Sequence, residues 1–224
     1  MQSGVVIARS LEHELRFCCC DDEIYRRLKF VEATPVMSAV DLVPIEIAIS
    51  RDTDKYCLSY GSIKVQGSPG DILEACHLAV REVLISELGS GLLLHAASFC
   101  INNQNIVLFA DKGAGKTTLA LKILEAGHQV YGDEHVFISK IRTLTRPRAM
   151  RVKQSSISFV PALASMVESS PGFENWDGSF IYSVPPKTEN VGWELAPFSV
   201  DHFIHLSANH GGPTELSKLS TEQT

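Results

Sequence analysis

Residues 106–127, IVLFADKGAGKTTLALKILEAG, constrain the fold more than any other stretch. An apolar run of strand character enters a glycine-rich turn, and an amphipathic helix leaves it. Gly113 and Gly115 let the backbone curl so that successive N–H groups point at one anion. The positive end of the following helix faces the same point. Ala110, Asp111, Lys112, Gly113, Ala114, Gly115, Lys116 and Thr117 fit the phosphate-loop pattern GxxxxGK[ST], with Ala in place of the first Gly. At average residue frequencies the pattern arises by chance in about one or two per cent of chains this long. Its setting between a strand and a helix is the context that gives it meaning. In a nucleotide-binding reading Lys116 neutralises the β- and γ-phosphates, Thr117 meets Mg²⁺, and Thr118 completes the set.

The flanking segments extend the reading. GLLLHAASFC, INNQN and IVLFA read as two strands around an Asn-rich turn. With the turn near Asn103-Gln104, residue i faces about 207 − i, and His95 falls opposite Lys112. Leu119, Ile123 and Leu124 form the apolar face of the helix after the loop, and Gly127 ends it. Upstream, ELRFCCC and KYCLSYGSIKV are strand-like, and DDEIYRRLKF reads as a short helix. SPGDILEACHLAVREVLISEL is an amphipathic helix with Asp71 placed as its cap. Gly89 and Gly91 mark a boundary. The expected organisation is a small α+β N-terminal region over residues 1–88, then a phosphate-loop domain with a mixed sheet over 89–224, a mixed α/β fold overall.

A phosphate loop needs a carboxylate to help hold its metal. Asp133 and Glu134, between the strand-like HQVY and HVFISK, lie 17 residues after Lys116 (133 − 116), a shorter path than most GTPases and ATPases use. A Gly-Asp-Glu surface turn is the plain alternative. His95, within reach of the loop by the hairpin pairing, could bond a catalytic carboxylate or touch a phosphate.

At these residues the chain resembles the catalytic domain of HPr kinase/phosphorylase and its smaller relatives, which include serine kinases acting on ribosomally made peptides such as lasso peptides. The likeness rests on a strand ending in His95, the loop at Ala110 to Thr117, Gly127-His128 after the helix, and the acids Asp133 and Glu134, where the family usually has two aspartates. It covers about 91 to 140, and extends more weakly to 146–154 and DHFIHLSA. The resemblance implies ATP- and Mg²⁺-dependent phosphoryl transfer to a hydroxyl. Asp133 would be the base, His95 its orienting partner, and Thr117 with Glu134 the metal ligands; Lys116 would stabilise the transferring group. It implies serine of a peptide or protein as the acceptor, with a small hydroxylated metabolite as the variant, and leaves room for a homo-oligomer.

Lys140, Arg142, Arg146, Arg148, Arg151 and Lys153 bring six cations into fourteen residues without an acid. They read either as a solvated face or as contacts to phosphate or an anionic acceptor, Arg148 and Lys153 above all. No aromatic platform or known motif accompanies them, and the net charge is −6, so no nucleic-acid partner is expected. His202, His205 and His210 make a poor ligand set, since positions 202 and 205 of a strand point to opposite faces. Trp176 and Trp193 lie where a loop could cover an acceptor, or pack in the core. The six cysteines form no C-x-x-C pair and read as small apolar residues. No apolar run is long enough for a bilayer and none resembles a signal peptide, so no membrane partner and a cytoplasmic location are expected. Two other classes fit the same loop: a nucleotide-hydrolysing switch and a non-catalytic nucleotide-binding subunit. No base-reading motif separates ATP from GTP.

Overall fold

A computed structural model of the chain describes residues 4–10, 12–31, 42–140, 143–146, 148–174, 179–193, 196–207, 212 and 215–218. Arg142, Trp176 and His210 lie outside the described residues. The fold is mixed α/β, with two mixed sheets, one antiparallel sheet and helices packed against them.

The first sheet has the order β1 (Gly4–Arg9), β2 (His13–Cys19), β3 (Val43–Asp52), β4 (Lys55–Tyr60), β5 (Ile63–Gly67), with β2 and β3 parallel and the other pairs antiparallel. Alternation along β2 and β3 buries Leu15, Phe17, Ile47 and Ile49 on one face. Helix α1 (Asp22–Leu28), capped by Asp21, and α2 (Pro69–Leu88) close that core with Ile24, Leu28, Ile72, Cys76, Ala79 and Val83. The cap of α2 is Ser68 rather than Asp71. Asp71 is the reciprocal partner three residues on, accepting from the Ser68 backbone N–H at 2.7 Å. Among the cysteines, Cys19 and Cys76 are buried and all six are unpaired; burial pushes Cys19 up to about 11, which keeps it an inert thiol.

The second sheet carries the loop. Strands β6 (Leu92–Ile101) and β7 (Gln104–Ala110) form the expected hairpin, α3 (Lys116–Glu125) follows β7, and β8 (Gln129–Gly132) and β9 (His135–Ile138) pair one after the other along β6. β10 (Thr143–Thr145) extends the sheet beyond β9. The hairpin turns at Asn102-Asn103, both at positive φ, and the pairing sums to 205 instead of 207, as in Ala96 with Phe109. His95 therefore does not face Lys112 across the hairpin; its neighbour is His135 on β9.

A third sheet joins β11 (Met150–Lys153), β12 (Gly172–Glu174) and β13 (Phe180–Val184) in the order β11-β13-β12, with a short helix α4 (Ala164–Ser169) between β11 and β12. Strand β14 (His202–Leu206) returns to pair parallel with β7. Buried residues of α3 (Ala120, Leu121, Leu124) pack with Val130, Met150, Val152 and Val167 in a second core. Among the described residues no helix is long and apolar enough to cross a membrane.

Candidate active site

Three segments distant in sequence meet at a cavity of about 680 Å³. One wall is the glycine-rich loop with the start of α3, and the acids: Lys112, Thr117, Asp133 and Glu134, with His95 beside them. The opposite wall is a stripe of α2, with Gly70, Leu73, Glu74 and His77, and the third sheet supplies Arg151, Phe173 and Ile181.

The loop takes the conformation its glycines allow. Gly113 and Gly115 sit at φ 86° and 102°, and Gly115 is the N-cap of α3 with no side-chain cap bond, so the helix N-terminus is not covered by a capping side chain. Lys116, only 8% exposed, folds back and donates to the carbonyls of Ala110 at 2.6 Å and Asp111 at 3.2 Å. Its ammonium is thus held by the loop itself.

Asp133 and Glu134 lie in the short break between β8 and β9, and the Ala96 N–H donates to the Glu134 carbonyl, which keeps the break against β6. Thr117 donates its hydroxyl to Asp133 at 2.7 Å. Burial raises the Asp133 pKa above the usual carboxylate value, opposed by the Thr117 hydrogen bond and by the Arg148 and Arg151 charges. A raised carboxyl suits a base, whose value works best near the operating pH. His95 opens on the same cavity, its pKa lowered by burial and then by Lys116. The hydrogen bond to the Asp133 carboxylate comes from Thr117, while His95 packs at 6.2 Å from the His135 ring.

The basic segment divides. Arg146 and Arg148 are buried, Arg148 at 6% exposure, where one reading of the sequence had them on a solvated face. Arg146 N–H donates to the His135 carbonyl, its side chain reaches the Arg9 carbonyl, and Arg148 N–H donates to the Arg146 carbonyl at 2.8 Å. This turn swings Arg148 toward the acids, where its Nη1 pairs with Glu134. Lys153 is exposed and is not a wall residue of the cavity; Arg151, about 7 Å back along β11, is. Arg151 donates to the Lys29 carbonyl at 3.0 Å and lies over the Phe173 ring. Sequence reasoning counted Arg151 only in the charge run, and missed the α2 stripe, whose pattern reads as a partly exposed helix face. Trp193 donates to the Tyr131 carbonyl at 2.9 Å. His202 meets Gln104, and the His205 ring packs against Phe109 at a tilt of 36°.

Thr117, Asp133 and Glu134 offer hard oxygen donors side by side, a set that suits Mg²⁺. Among the described residues no group of three or more His, Cys, Asp or Glu could hold a metal by itself.

No family model matches the chain, and no curated protein matches it. Among solved structures it is similar to the Hpr(Ser) kinase/phosphatase from Coxiella burnetii, at 15% identity and a TM-score of 0.30, over 55% of this chain and 71% of that one. A likeness of that size leaves the functional reading to the geometry of the site.

Proposed function

We propose that the chain is an ATP- and Mg²⁺-dependent kinase that transfers the γ-phosphoryl group to a hydroxyl, with serine of a peptide or protein as the acceptor. The observation that carries this reading is the hydrogen bond from Thr117 to Asp133. It puts a buried carboxylate of raised pKa at the mouth of a phosphate loop, on the wall of a cavity with room for an acceptor. A nucleotide switch has no need of an acceptor-sized space facing such a base.

In the reaction Asp133 takes the proton of the acceptor hydroxyl as its oxygen bonds to the γ-phosphorus. The bond from that phosphorus to the β–γ bridging oxygen breaks, and the electron pair leaves with ADP. Lys116 moves from the Ala110 and Asp111 carbonyls to the phosphate oxygens. His95, kept neutral by its lowered pKa, lines the acceptor side. Thr117 and Glu134 would hold Mg²⁺, which supplies charge neutralisation at the phosphates when bound. The N-terminal region, residues 1–88, contributes the α2 wall and so takes part in acceptor recognition. The surroundings we assign are cytoplasmic, and neither nucleic acid nor membrane is a partner.

The test is to incubate the protein with Mg²⁺ and γ-labelled ATP in extract from its source, with Asp133→Asn as control. Label in a peptide or protein, lost with the variant, supports the reading and delivers the acceptor. Label in a small molecule keeps the chemistry and changes the acceptor class. Label only as free phosphate, or unspent in ATP, refutes the kinase.

A further inference from the structure

Arg148 is a buried cation held by a residue that the kinase reading needs elsewhere. Its Nη1 lies against Glu134, which is 25% exposed, as an ion pair, and neither Nη1 nor Nε, both buried, has a hydrogen-bond partner among the described residues. It lines the cavity together with Thr117, Asp133 and Glu134. Of the neighbouring arginines, Arg151 reaches the Lys29 carbonyl and the Phe173 ring, and Arg146 reaches the Arg9 carbonyl through Nε; its Nη2 is also buried without a hydrogen-bond partner among the described residues, but Arg146 does not line the cavity.

The Glu134 Oε2 atom that meets Arg148 cannot also serve a metal ion without loosening that pair. Once Glu134 turns to a cation, Arg148 is left as a buried charge with its counter-ion shared, a costly state. The remedy is an anion, and the anion arriving in the same cavity is the phosphoryl group. The guanidinium fork, with a donor to spare at Nε, matches phosphate oxygens.

We propose that Arg148 is a masked phosphoryl clamp: Glu134 holds it in the empty site, and metal capture by Glu134 releases it to the transferring phosphoryl group. The proposal rests on the kinase reading. It makes Arg148 a catalytic residue that opposes metal binding in the empty site and serves the reaction in the loaded one. By linkage, whatever strengthens the arginine–glutamate pair weakens metal uptake equally.

The experiment measures two quantities that should move in opposite senses. Mn²⁺ affinity of the nucleotide-free protein is read from the electron paramagnetic resonance of free Mn²⁺, and phosphoryl transfer from γ-labelled ATP. In Arg148→Gln, Mn²⁺ should bind about fivefold tighter or more, while transfer falls about a hundredfold or more. Arg148→Lys keeps the charge beside Glu134 and is the variant least liable to unfold. It should bind Mn²⁺ within about twofold of the wild type and still transfer slowly, since the fork is lost. Mn²⁺ affinity unchanged or weakened in Arg148→Gln, or normal transfer in either variant, overturns the clamp and leaves the kinase standing. A wild-type protein that takes up Mn²⁺ but transfers no label overturns both.

Discussion

Two glycines flank α3 at positive φ, and substituting each in turn separates stability from the proposed nucleotide binding. Gly115 begins the helix at φ 102°, with Leu119 N–H bonded to its carbonyl at 2.9 Å. Gly127 ends it at φ 84°, where its N–H meets the Leu124 carbonyl and that of His128 meets Ile123, at 3.0 and 3.1 Å. A Cβ at either position would meet nothing within 4 Å. Alanine therefore adds no clash, only the strain of a left-handed backbone, about 1–2 kcal/mol. For a chain of this size that lowers the melting temperature by roughly 2–8 °C. Gly115→Ala and Gly127→Ala should lose similar stability in thermal melts. They should differ in calorimetric titration with Mg²⁺ and a non-hydrolysable ATP analogue. Gly115→Ala should bind about tenfold more weakly or worse, a loss of about 1.4 kcal/mol, because the cradle of N–H groups depends on that turn. Gly127→Ala should bind within about twofold of the wild type. Equal loss of affinity in both would mean that general loosening of α3 explains it. Normal affinity in Gly115→Ala would refute the phosphate cradle.

Other consequences follow from the same site. Lys116→Ala should weaken nucleotide binding and transfer together, since in the proposed reaction its ammonium meets phosphate before and during transfer; titration and label transfer check it. Asp133→Asn should slow transfer about a hundredfold or more with nucleotide affinity largely kept, as an amide oxygen can still accept from Thr117. The raised Asp133 pKa places the acid limb of kcat above the usual aspartate value of about 3.9, so a kcat profile flat down to pH 4 would exclude Asp133 as the base. Burial, then the Arg146 charge, push His135 down to about 3, so the folded chain keeps it neutral while the unfolded chain protonates it below about 6.5. Its contribution is present above that value and is lost as pH falls. Between pH 7 and pH 5 it should remove about 2 kcal/mol of stability, a loss that His135→Gln escapes in denaturant titrations at the two pH values.

The parts of the site legible in the sequence were those encoded locally. Glycines, a lysine and a 3.6-residue rhythm mark the strand–loop–helix, and Asn102-Asn103 with its flanking apolar runs marks the hairpin. Its register was read two residues out, because the turn was centred on Asn103-Gln104 rather than on the pair that accepts positive φ. That pair fixes which β7 residue faces each β6 residue, while His95 meets His135 across the other edge of β6. The parallel pairing of β2 with β3 joins segments 24 residues apart in sequence (43 − 19) and has no local signal, although Ile45, Ile47 and Ile49 alternate clearly. The third sheet, of strands three to five residues long, exists by virtue of its packing. The burial of Arg148 was hidden for a different reason. Six cations in fourteen residues describe charge, while the fold decides solvent access, by adding Arg146 to the edge of β9 and turning the chain back on Glu134.

The short spacing between lysine and acid has a geometric explanation. Helix α3 has ten residues and carries the chain about 15 Å from the loop. Gly127 reverses it, and the extended path from His128 to Asp133, five steps of about 3.3 Å, brings it back nearly the same distance. The acid must then arrive beside the first turn of the helix, where Thr117 meets it. A longer helix or a shorter β8 would leave the carboxylate off the loop. Pairing of β8 and β9 along β6 fixes the return path, so the acid lies in a short break anchored by a strand on each side. The hydroxyl–carboxylate contact is thus a consequence of element lengths. The turn after β10 brings Arg148 beside Glu134, where the two side chains pair.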